Sequence, residues 1–199
     1  TKYPKEKSAP DALYNAALAS ELNRDFKKAI ELYTQYQGVE SDRRKKDRAL
    51  YSVVSIYRQS GDVNSMEETS AKWRRTYGND PGNEDDFVQT YYDAAALRKK
   101  KNQTGLANTA GQETIKAWKA KGSIKSGKAA KLAGEWQLKF AEDSFAKTWE
   151  PYAIKTAAKT VDEAKKQNAA IEKAKTAAED QYLALDAYGV ADLSMAAKV

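Results

Sequence analysis

The strongest constraint on the fold is a pattern in which one helix stops at a short turn and a second helix follows. Apolar residues at helical spacing cover residues 50–57, the pattern stops at Gly61, and a second apolar stripe covers residues 63–73. Glycine commonly ends helices because it adopts the left-handed backbone conformation at no steric cost. We therefore predict two antiparallel helices joined by a turn, with Ser65 and Glu68 as a capping box for the second helix.

A similar pattern occurs 50 − 13 = 37 residues earlier, counted from the first apolar residue of each copy. This copy covers residues 13–36, and the polar residues 23–25 make its turn without a glycine. Ser8 suits the N-cap of its first helix, and Pro10 suits the first helical turn, where a missing N–H costs little. Two hairpins in succession predict a repeat array rather than a single pair of helices.

A third and more irregular helix pair is predicted over residues 83–122. Its first helix would begin at Asn83, a residue that often caps helices, and three acidic residues follow in the first turn. Its second helix contains Gly105 and Gly111, each of which weakens a helix by about 1 kcal/mol. We therefore expect the start of that second helix to be frayed or irregular.

Two longer helices are predicted in the C-terminal half of the chain. Residues 126–151 read as one helix, and residues 157–189 read as a longer one that Gly189 closes. The first would bury Leu132, Trp136, Phe140, Phe145 and Trp149. The second would bury Val161, Ala164, Ile171, Ala174, Ala178, Tyr182 and Leu185. The chain has only four prolines and ten glycines, so few positions interrupt these helices.

The paired helices resemble the tetratricopeptide repeat (TPR) family, whose repeats are helix pairs of about 34 residues. The matching positions in the first repeat are Leu13, Ala17, Phe26, Ala29 and Tyr33. Those in the second are Leu50, Val54, Tyr57, Gly61 and Val63, while Met66 stands where the family usually has alanine. The late proline of the family pattern is missing from both repeats.

This resemblance implies an all-α fold in which antiparallel helical hairpins stack as a right-handed solenoid. Residues 1–122 would form about three TPR-like helix pairs, with the third degenerate. Residues 123–199 would form a long-helix hairpin that continues the solenoid. The layout at both ends of the chain predicts a fragment of a longer protein.

The order of the elements is also similar to that of extended TPR scaffolds from deltaproteobacterial cell envelopes. In those proteins a long Ala/Lys-rich helix and a segment like "YLALDAYGVADLSMAAKV" lead into further repeats. By analogy, the resemblance implies a bacterial, envelope-associated scaffold, in some members part of a motility machinery. The residues themselves leave the compartment open.

Catalysis is not expected, because the residue types that most often carry it are missing. The chain contains no cysteine and no histidine, so it lacks the thiolate nucleophile, the commonest general base and the commonest metal ligand. No phosphate-binding glycine loop with its lysine occurs, and no calcium-loop spacing occurs. We predict no enzyme activity, no cofactor and no metal.

The resemblance implies that the first helix of each pair faces a concave groove that binds a protein or peptide segment. The predicted partner-binding residues are Tyr14, Leu18, Arg48, Tyr51, Ser55, Arg58 and Tyr92. Tyrosine suits such a surface because its rigid ring loses little entropy on binding. Arg48 and Arg58 could grip a carboxylate of the partner. The alternative is that these tyrosines only pack and these arginines are only solvated.

A basic segment between residues 98 and 131 offers a second hypothesis. It holds ten basic residues and one acid, Glu113, a local charge of 10 − 1 = +9, whereas the whole chain carries +6. It could dock on an anionic membrane or nucleic acid, or it could simply be a solvated face. The residues proposed for this basic patch are Arg98, Lys99, Lys100, Lys101, Lys119, Lys121 and Lys125. Nucleic acid is the less favoured target, since no aromatic-interleaved RNA motif or recognition helix is found.

Two further expectations concern packing and assembly. Trp118, Trp136 and Trp149 each lie within an apolar helical stripe, which predicts core packing rather than an exposed aromatic patch. If both ends of the chain expose surfaces that neighbouring repeats normally cover, the chain could self-associate. A purely structural array without any ligand is a further alternative.

Overall fold

The computed structural model of the chain describes residues 9–148, 158 and 160–196. These residues form helices and connecting turns, with no strand among them, so the predicted all-α class is confirmed. The chain divides into two compact units, residues 1–108 and 109–199. The predicted division after residue 122 stays a prediction.

The first unit is a succession of helices, and from α1 to α5 each helix packs against the next in the chain. The helices are α1 (Ala9–Leu22), α2 (Phe26–Val39), α3 (Arg43–Ser60), α4 (Val63–Tyr77) and α5 (Glu84–Lys100), and α6 (Thr104–Ala120) begins in this unit. Contacts join α1 to α2, α2 to α3, α3 to α4 and α4 to α5. This repeat-like packing of successive helices agrees with the prediction from the two sequence copies.

The turn of the second hairpin forms at Gly61, as predicted, but the cap of the following helix differs. Gly61 has a φ of 74°, in the left-handed region, and its N–H donates to the carbonyls of the last turn of α3. The carboxylate of Asp62 then accepts the N–H of Ser65 at 3.1 Å and its hydroxyl at 2.7 Å. The predicted capping box of Ser65 and Glu68 is therefore wrong, because Asp62 caps α4 and Ser65 lies in the first turn.

The turn of the first hairpin uses residues other than glycine. Arg24 adopts a positive φ of 60°, and the carboxylate of Asp25 caps α2 by accepting the N–H of Lys28 at 3.2 Å. Pro10 lies in the first turn of α1, as predicted. The predicted cap, Ser8, lies outside the described residues.

The core of the first unit brings α1, α2 and α3 together. Two of its tyrosines also bond to acidic side chains: the Tyr33 hydroxyl donates to Glu21 at 2.9 Å, and the Tyr36 hydroxyl donates to Glu40 at 2.8 Å. Both rings are buried, so these bonds satisfy hydroxyls that would otherwise be costly to bury. The core residues are Leu13, Ala17, Ala29, Tyr33, Tyr36, Ala49, Val53 and Ile56.

The second unit is built around a long helical pair. It contains α7 (Gly127–Thr148), α8 (Val161–Leu183), a 3₁₀ helix (Ala184–Tyr188) and α9 (Ala191–Ala196), and α7 packs against each of the others. The predicted helix over residues 157–189 is wrong in its last turn, which tightens into the 3₁₀ helix before Gly189. Val161 was expected to be buried but is 72% exposed, because it is the first residue of α8. Trp149 lies outside the described residues.

The predicted irregularity at the start of α6 is wrong, because α6 runs without a break from Thr104 to Ala120. Gly105 lies in the first turn, where its cost to the helix is small. Gly111 is buried against the ring of Trp136, and a Cβ at this position would lie 2.3 Å from a ring carbon. The glycine thus permits a close contact between helix backbone and indole, and this contact offsets its low helix propensity.

The predicted burial of two tryptophans is confirmed. Trp118 and Trp136 are both buried. The Trp118 ring stacks on Tyr188 with 4.2 Å between centroids, and its Nε1–H donates to the carbonyl of Ile124 at 3.0 Å. Among the described helices, none is long and apolar enough to cross a membrane.

Candidate functional site

An open cleft of about 850 Å³ lies along α3 in the first unit. Its walls come from α1, from α3, from the connection between α4 and α5, and from the first turn of α5. We call it the α3 cleft. The lining residues used below are Tyr14, Arg43, Arg44, Asp47, Arg48, Tyr51, Asp80, Asn83 and Asp86.

The α3 cleft brings together three of the seven residues predicted to bind a partner. Tyr14 lies on α1, whereas Arg48 and Tyr51 lie on α3, so two different sequence repeats contribute. The other four predicted residues, Leu18, Ser55, Arg58 and Tyr92, are not among the described residues that line it.

The two cleft tyrosines are half-buried and held by other aromatic rings. The Tyr14 ring lies 5.7 Å from the Tyr33 ring and 5.3 Å from the Tyr36 ring, centroid to centroid. The Tyr51 ring meets Trp73 edge to face at 5.1 Å. Such packing fixes the rings in place and leaves one side of each for contact within the cleft.

Burial raises the pKa of the Tyr51 hydroxyl, and the neighbouring carboxylates of Asp86 and Asp93 raise it further. The hydroxyl also forms a hydrogen bond with Asp86. Tyr51 therefore stays neutral at physiological pH and presents an apolar ring to the cleft. Its hydroxyl is already engaged.

Asp47 is held by two donors from elsewhere in the unit. Its Oδ1 accepts the Nε1–H of Trp73 at 2.5 Å, and its Oδ2 accepts the side-chain amide of Asn83 at 2.7 Å. The same amide donates to the carbonyl of Tyr77 at 2.9 Å. Asn83 occupies the N-cap of α5, as predicted, but its side chain makes no capping hydrogen bond to the helix.

Asp80 is paired with Arg43 in a fork. Arg43 donates from Nε at 2.7 Å and from Nη2 at 2.9 Å, and it also donates to the carbonyl of Thr76. The guanidinium lowers the pKa of Asp80 through these hydrogen bonds. Asp80 is therefore an anion whose charge is largely compensated within the cleft wall.

Arg44 and Arg48 are the two arginines of the cleft without an ion pair. Both side chains are exposed, and neither guanidinium has a hydrogen bond or ion pair with any described residue. They lie four residues apart on α3 and so project from the same face of the helix. Asp80 is paired with Arg43, whereas Asp47 and Asp86 bond to neutral donors and keep their negative charge. Arg44 and Arg48 are therefore the two cations of the cleft that could pair with an anionic group of a ligand.

Arg44 was not among the predicted site residues. The available signal was its spacing of four residues before Arg48 and seven before Tyr51, which places all three side chains on one face of a helix. That signal was hidden by the neighbouring basic residues, since residues 43–46 are all Arg or Lys.

Arg58 already binds a carboxylate inside the protein. Its Nη1 lies 3.1 Å from Oδ2 of Asp93 on α5, and the other oxygen of Asp93 accepts the Gln89 amide at 2.7 Å. Asp93 is buried, so Arg58 supplies the charge that allows a carboxylate there. Arg58 therefore has a structural role between α3 and α5, and its role in binding a partner's carboxylate stays a prediction.

The predicted basic patch is divided between the two compact units. The Arg98 side chain is only 14% exposed and pairs with Glu67, with Nε 2.8 Å from Oε1. This pairing leaves Arg98 little freedom to contact an anionic surface, which was its predicted role. In the first unit Lys99, Lys100 and Lys101 are exposed at the C-terminal end of α5, where positive charge complements the helix dipole. In the second unit Lys119 and Lys125 are exposed and Lys121 is half-buried.

Among the described residues, no group of acidic side chains is arranged to hold a metal ion. Comparisons with protein-family models, with curated proteins and with solved structures find no match to this chain.

Proposed function

We propose that this chain is a protein-interaction scaffold that binds an extended segment of a partner protein in the α3 cleft. One observation carries the proposal: Tyr14, Arg48 and Tyr51, chosen from the repeat pattern, lie along the same open cleft. A row of aromatic and cationic side chains on neighbouring helices is suited to an extended peptide, because each can contact a successive residue.

The proposed architecture is a TPR-like solenoid of helical hairpins. It is supported by the packing of each helix on the next through α1 to α5. It is also supported by the origin of the cleft side chains, since helical residues from α1, α3 and α5 line it. These are the first helices of the three predicted pairs, which face the concave side of a stacked array.

In this proposal the partner segment is held by stacking and by charge. The rings of Tyr14 and Tyr51 offer rigid apolar area at low entropic cost. Arg44 and Arg48 would each donate to a carboxylate of the segment, in place of the predicted pair of Arg48 and Arg58. A cleft of this size contacts a short segment, so we expect an affinity on the order of 1–100 μM.

The resemblance to extended bacterial TPR scaffolds also suggests where in the cell the chain acts, and we propose the cell envelope. There the chain would hold components of an envelope-associated assembly, such as a motility machinery, next to one another. The proposed mechanism is binding, without a chemical step.

The proposal is tested in two stages, with variants matched to the cleft. Proteins captured from the source cells by the full chain are identified, and synthetic peptides that cover their sequences are titrated by fluorescence anisotropy. Arg48→Ala and Tyr51→Ala are each expected to weaken the best peptide about tenfold, since each removes a central contact.

Two controls sharpen this test. Arg75→Ala removes an exposed arginine on α4 outside the α3 cleft and is expected to leave binding unchanged. Tyr51→Phe keeps the ring and removes only a hydroxyl that is already engaged, so it is expected to retain most of the affinity. Equal binding by Arg48→Ala, Tyr51→Ala and the original chain would show that the α3 cleft is not the site.

A second candidate is docking on an anionic membrane surface through exposed lysines. The observation in its favour is the exposure of Lys99, Lys100 and Lys101 at the end of α5. Clustered lysines contribute about 1 kcal/mol each against anionic lipid, and that attraction falls steeply as salt is raised. Vesicles of phosphatidylcholine with and without phosphatidylserine distinguish this candidate from cleft binding. We do not propose nucleic acid as the target.

A further inference from the structure

The connection between α6 and α7 is a short loop that hydrogen bonds hold in a fixed shape. The Nε1–H of Trp118 donates to the carbonyl of Ile124 at 3.0 Å, and the N–H of Ser123 donates to the carbonyl of Trp118 at 3.1 Å. On the other side, the N–H of Ser126 donates to the carbonyl of Tyr188 at 2.8 Å. The loop is therefore tied both to α6 and to the 3₁₀ helix of the second unit.

This loop exposes an apolar side chain although its backbone is bonded to the interior. The Ile124 side chain is 58% exposed, while its carbonyl accepts a hydrogen bond from the buried Trp118. Ser123 and Ser126, on either side, have positive φ values of 53° and 61°, which non-glycine residues seldom adopt. A single exposed isoleucine is common on protein surfaces. The charges around Ile124 are what distinguish it.

The residues on both sides of Ile124 are strongly basic. Residues 119–131, which we call the basic loop, hold five lysines and no acid. The neighbouring 3₁₀ helix and α9 contribute Asp186 and Asp192, so the local charge is 5 − 2 = +3. Three of the lysines are exposed and have no ion pair with any described residue, namely Lys119, Lys125 and Lys131.

We propose that the basic loop binds an anionic lipid bilayer, with Ile124 inserted at the interface and the lysines against the headgroups. Apolar insertion and attraction to anionic lipid add to one another, and this loop offers both in adjacent residues. Nucleic acid fits less well, because it has no apolar phase for Ile124 and because residues 119–131 contain no aromatic side chain to stack on a base.

This surface is distinct from those already described. It lies in the second unit, whereas the α3 cleft and Lys99, Lys100 and Lys101 lie in the first. It also adds an inserted apolar residue to the attraction of lysines for lipid. The inference does not depend on binding of a partner segment in the α3 cleft.

The expected binding is weak because one apolar side chain inserts. A single myristoyl chain binds membranes with a constant of only about 10⁴ M⁻¹, and isoleucine is much smaller. We therefore expect half-maximal binding at a lipid concentration on the order of 1 mM in low salt. Binding should weaken as the Debye length falls from about 30 Å at 0.01 M salt to about 8 Å at 0.15 M. Such a loop orients a chain that other contacts already hold near a membrane.

Flotation of the full chain with vesicles tests the inserted residue. The chain is expected to float with phosphatidylcholine vesicles that contain about one third phosphatidylserine, and not with phosphatidylcholine alone. Ile124→Ser is expected to lower binding about fivefold, since it removes the inserted apolar area and keeps the carbonyl that Trp118 binds.

Val161→Ser is the matched control for the loss of an exposed β-branched residue. Val161 is 72% exposed and begins α8, about 33 Å along that helix from Leu183, the end that leads into the 3₁₀ helix. We expect this variant to bind vesicles like the original chain. Circular dichroism of every variant confirms that the helices are intact.

Charge reversals test the lysines and separate the two units. Lys125→Glu is expected to lower binding at least fivefold, whereas Lys165→Glu, at an exposed position of α8, should change it little. A chain with Lys99, Lys100 and Lys101 all changed to Glu is expected to keep its dependence on the basic loop.

The inference is overturned by a chain that does not float with anionic vesicles in low salt, or by Ile124→Ser binding as well as Val161→Ser. Loss of flotation in the triple variant of α5 alone would also overturn it, because the contact would then lie in the first unit. A chain that binds a labelled oligonucleotide through Lys125 but does not bind vesicles would assign the basic loop to nucleic acid instead.

Discussion

The indole Nε1–H of Trp73 donates to Oδ1 of Asp47 across the interface between α4 and α3, at a distance of 2.5 Å. Trp73 is buried, and no other acceptor for its N–H is found among the described residues. Because Asn83 donates to the other oxygen, one carboxylate joins α3, α4 and the start of α5. This side chain thereby fixes the wall of the α3 cleft.

Replacing Asp47 tests this role. Asp47→Ala leaves the buried Trp73 N–H without an acceptor, and an unsatisfied buried donor costs about 1–3 kcal/mol. We expect the free energy of unfolding of the first unit to fall by that amount, measured by amide hydrogen exchange in α3 and α4. Asp180→Ala, on an exposed position of α8, is the control and should change stability by less than about 0.5 kcal/mol. Unchanged exchange in Asp47→Ala would contradict the role.

Arg58 and Arg48 both lie on α3, but we expect substitution of Arg58 to lower stability and substitution of Arg48 to affect only binding. Arg58→Ala removes the cation that pairs with the buried Asp93, so we expect the free energy of unfolding to fall by about 1–3 kcal/mol, moderated by the partial exposure of Arg58. Arg48→Ala removes an exposed side chain without an ion pair and should leave urea unfolding unchanged. The reverse order of effects on unfolding would show that the ion pair with Asp93 is not structural.

The fold could be predicted from the sequence where the signal was local. The apolar stripe from Leu50 to Trp73 and the glycine at position 61 determine two helices and the turn between them. The same holds for Trp118 and Trp136, whose positions in apolar stripes predicted their burial. Where a prediction was wrong, as at Gly111, the deciding contact came from a residue 25 positions later in the chain, the ring of Trp136 (136 − 111 = 25).

The candidate site could be predicted only in part, because a sequence pattern gives the face of a helix but not the partner of a charge. Tyr14, Arg48 and Tyr51, taken from the repeat pattern, line one cleft. Arg58 was assigned to the same face, yet its charge is used by Asp93, which lies 35 residues later. Arg44 was missed because the sequence does not show which arginines lack an ion pair. In the structure Arg43 pairs with Asp80, whereas Arg44 has no such partner.

Glu40 makes the stability of the first unit depend on pH in the acid range. Its side chain is only 7% exposed and accepts the N–H groups of Asp42 and Ser41 and the hydroxyl of Tyr36, with Lys45 at 3.7 Å. The N–H of Asp42 and the Tyr36 hydroxyl are the main causes that lower the pKa of Glu40 from its ordinary 4.5 to about 2. The ionised form is thus favoured by folding.

The sign of the effect follows from that lowered pKa. The stabilisation from Glu40 is fully present above about pH 4.5 and is lost as the pH falls towards about 2, since the folded state must then bind a proton it resists. We expect the free energy of unfolding to decline less steeply between those pH values in Glu40→Gln than in the original chain. Urea unfolding at a series of pH values measures this difference. Parallel declines in the two proteins would contradict this contribution.

Two glycines of α6 are expected to respond oppositely to the same substitution. At Gly111 a new Cβ would lie 2.3 Å from the Trp136 ring, so Gly111→Ala forces the indole or the helix to move and should cost about 1–3 kcal/mol. At Gly105 nothing lies within 4 Å of the new Cβ, and Gly105→Ala should stabilise by about 0.4–1 kcal/mol through reduced freedom of the unfolded chain. Thermal unfolding followed by circular dichroism measures both, and the tryptophan emission of the chain, to which Trp136 contributes, should shift only in Gly111→Ala. If both substitutions stabilise the protein, the close contact between the Gly111 backbone and the indole does not exist in solution.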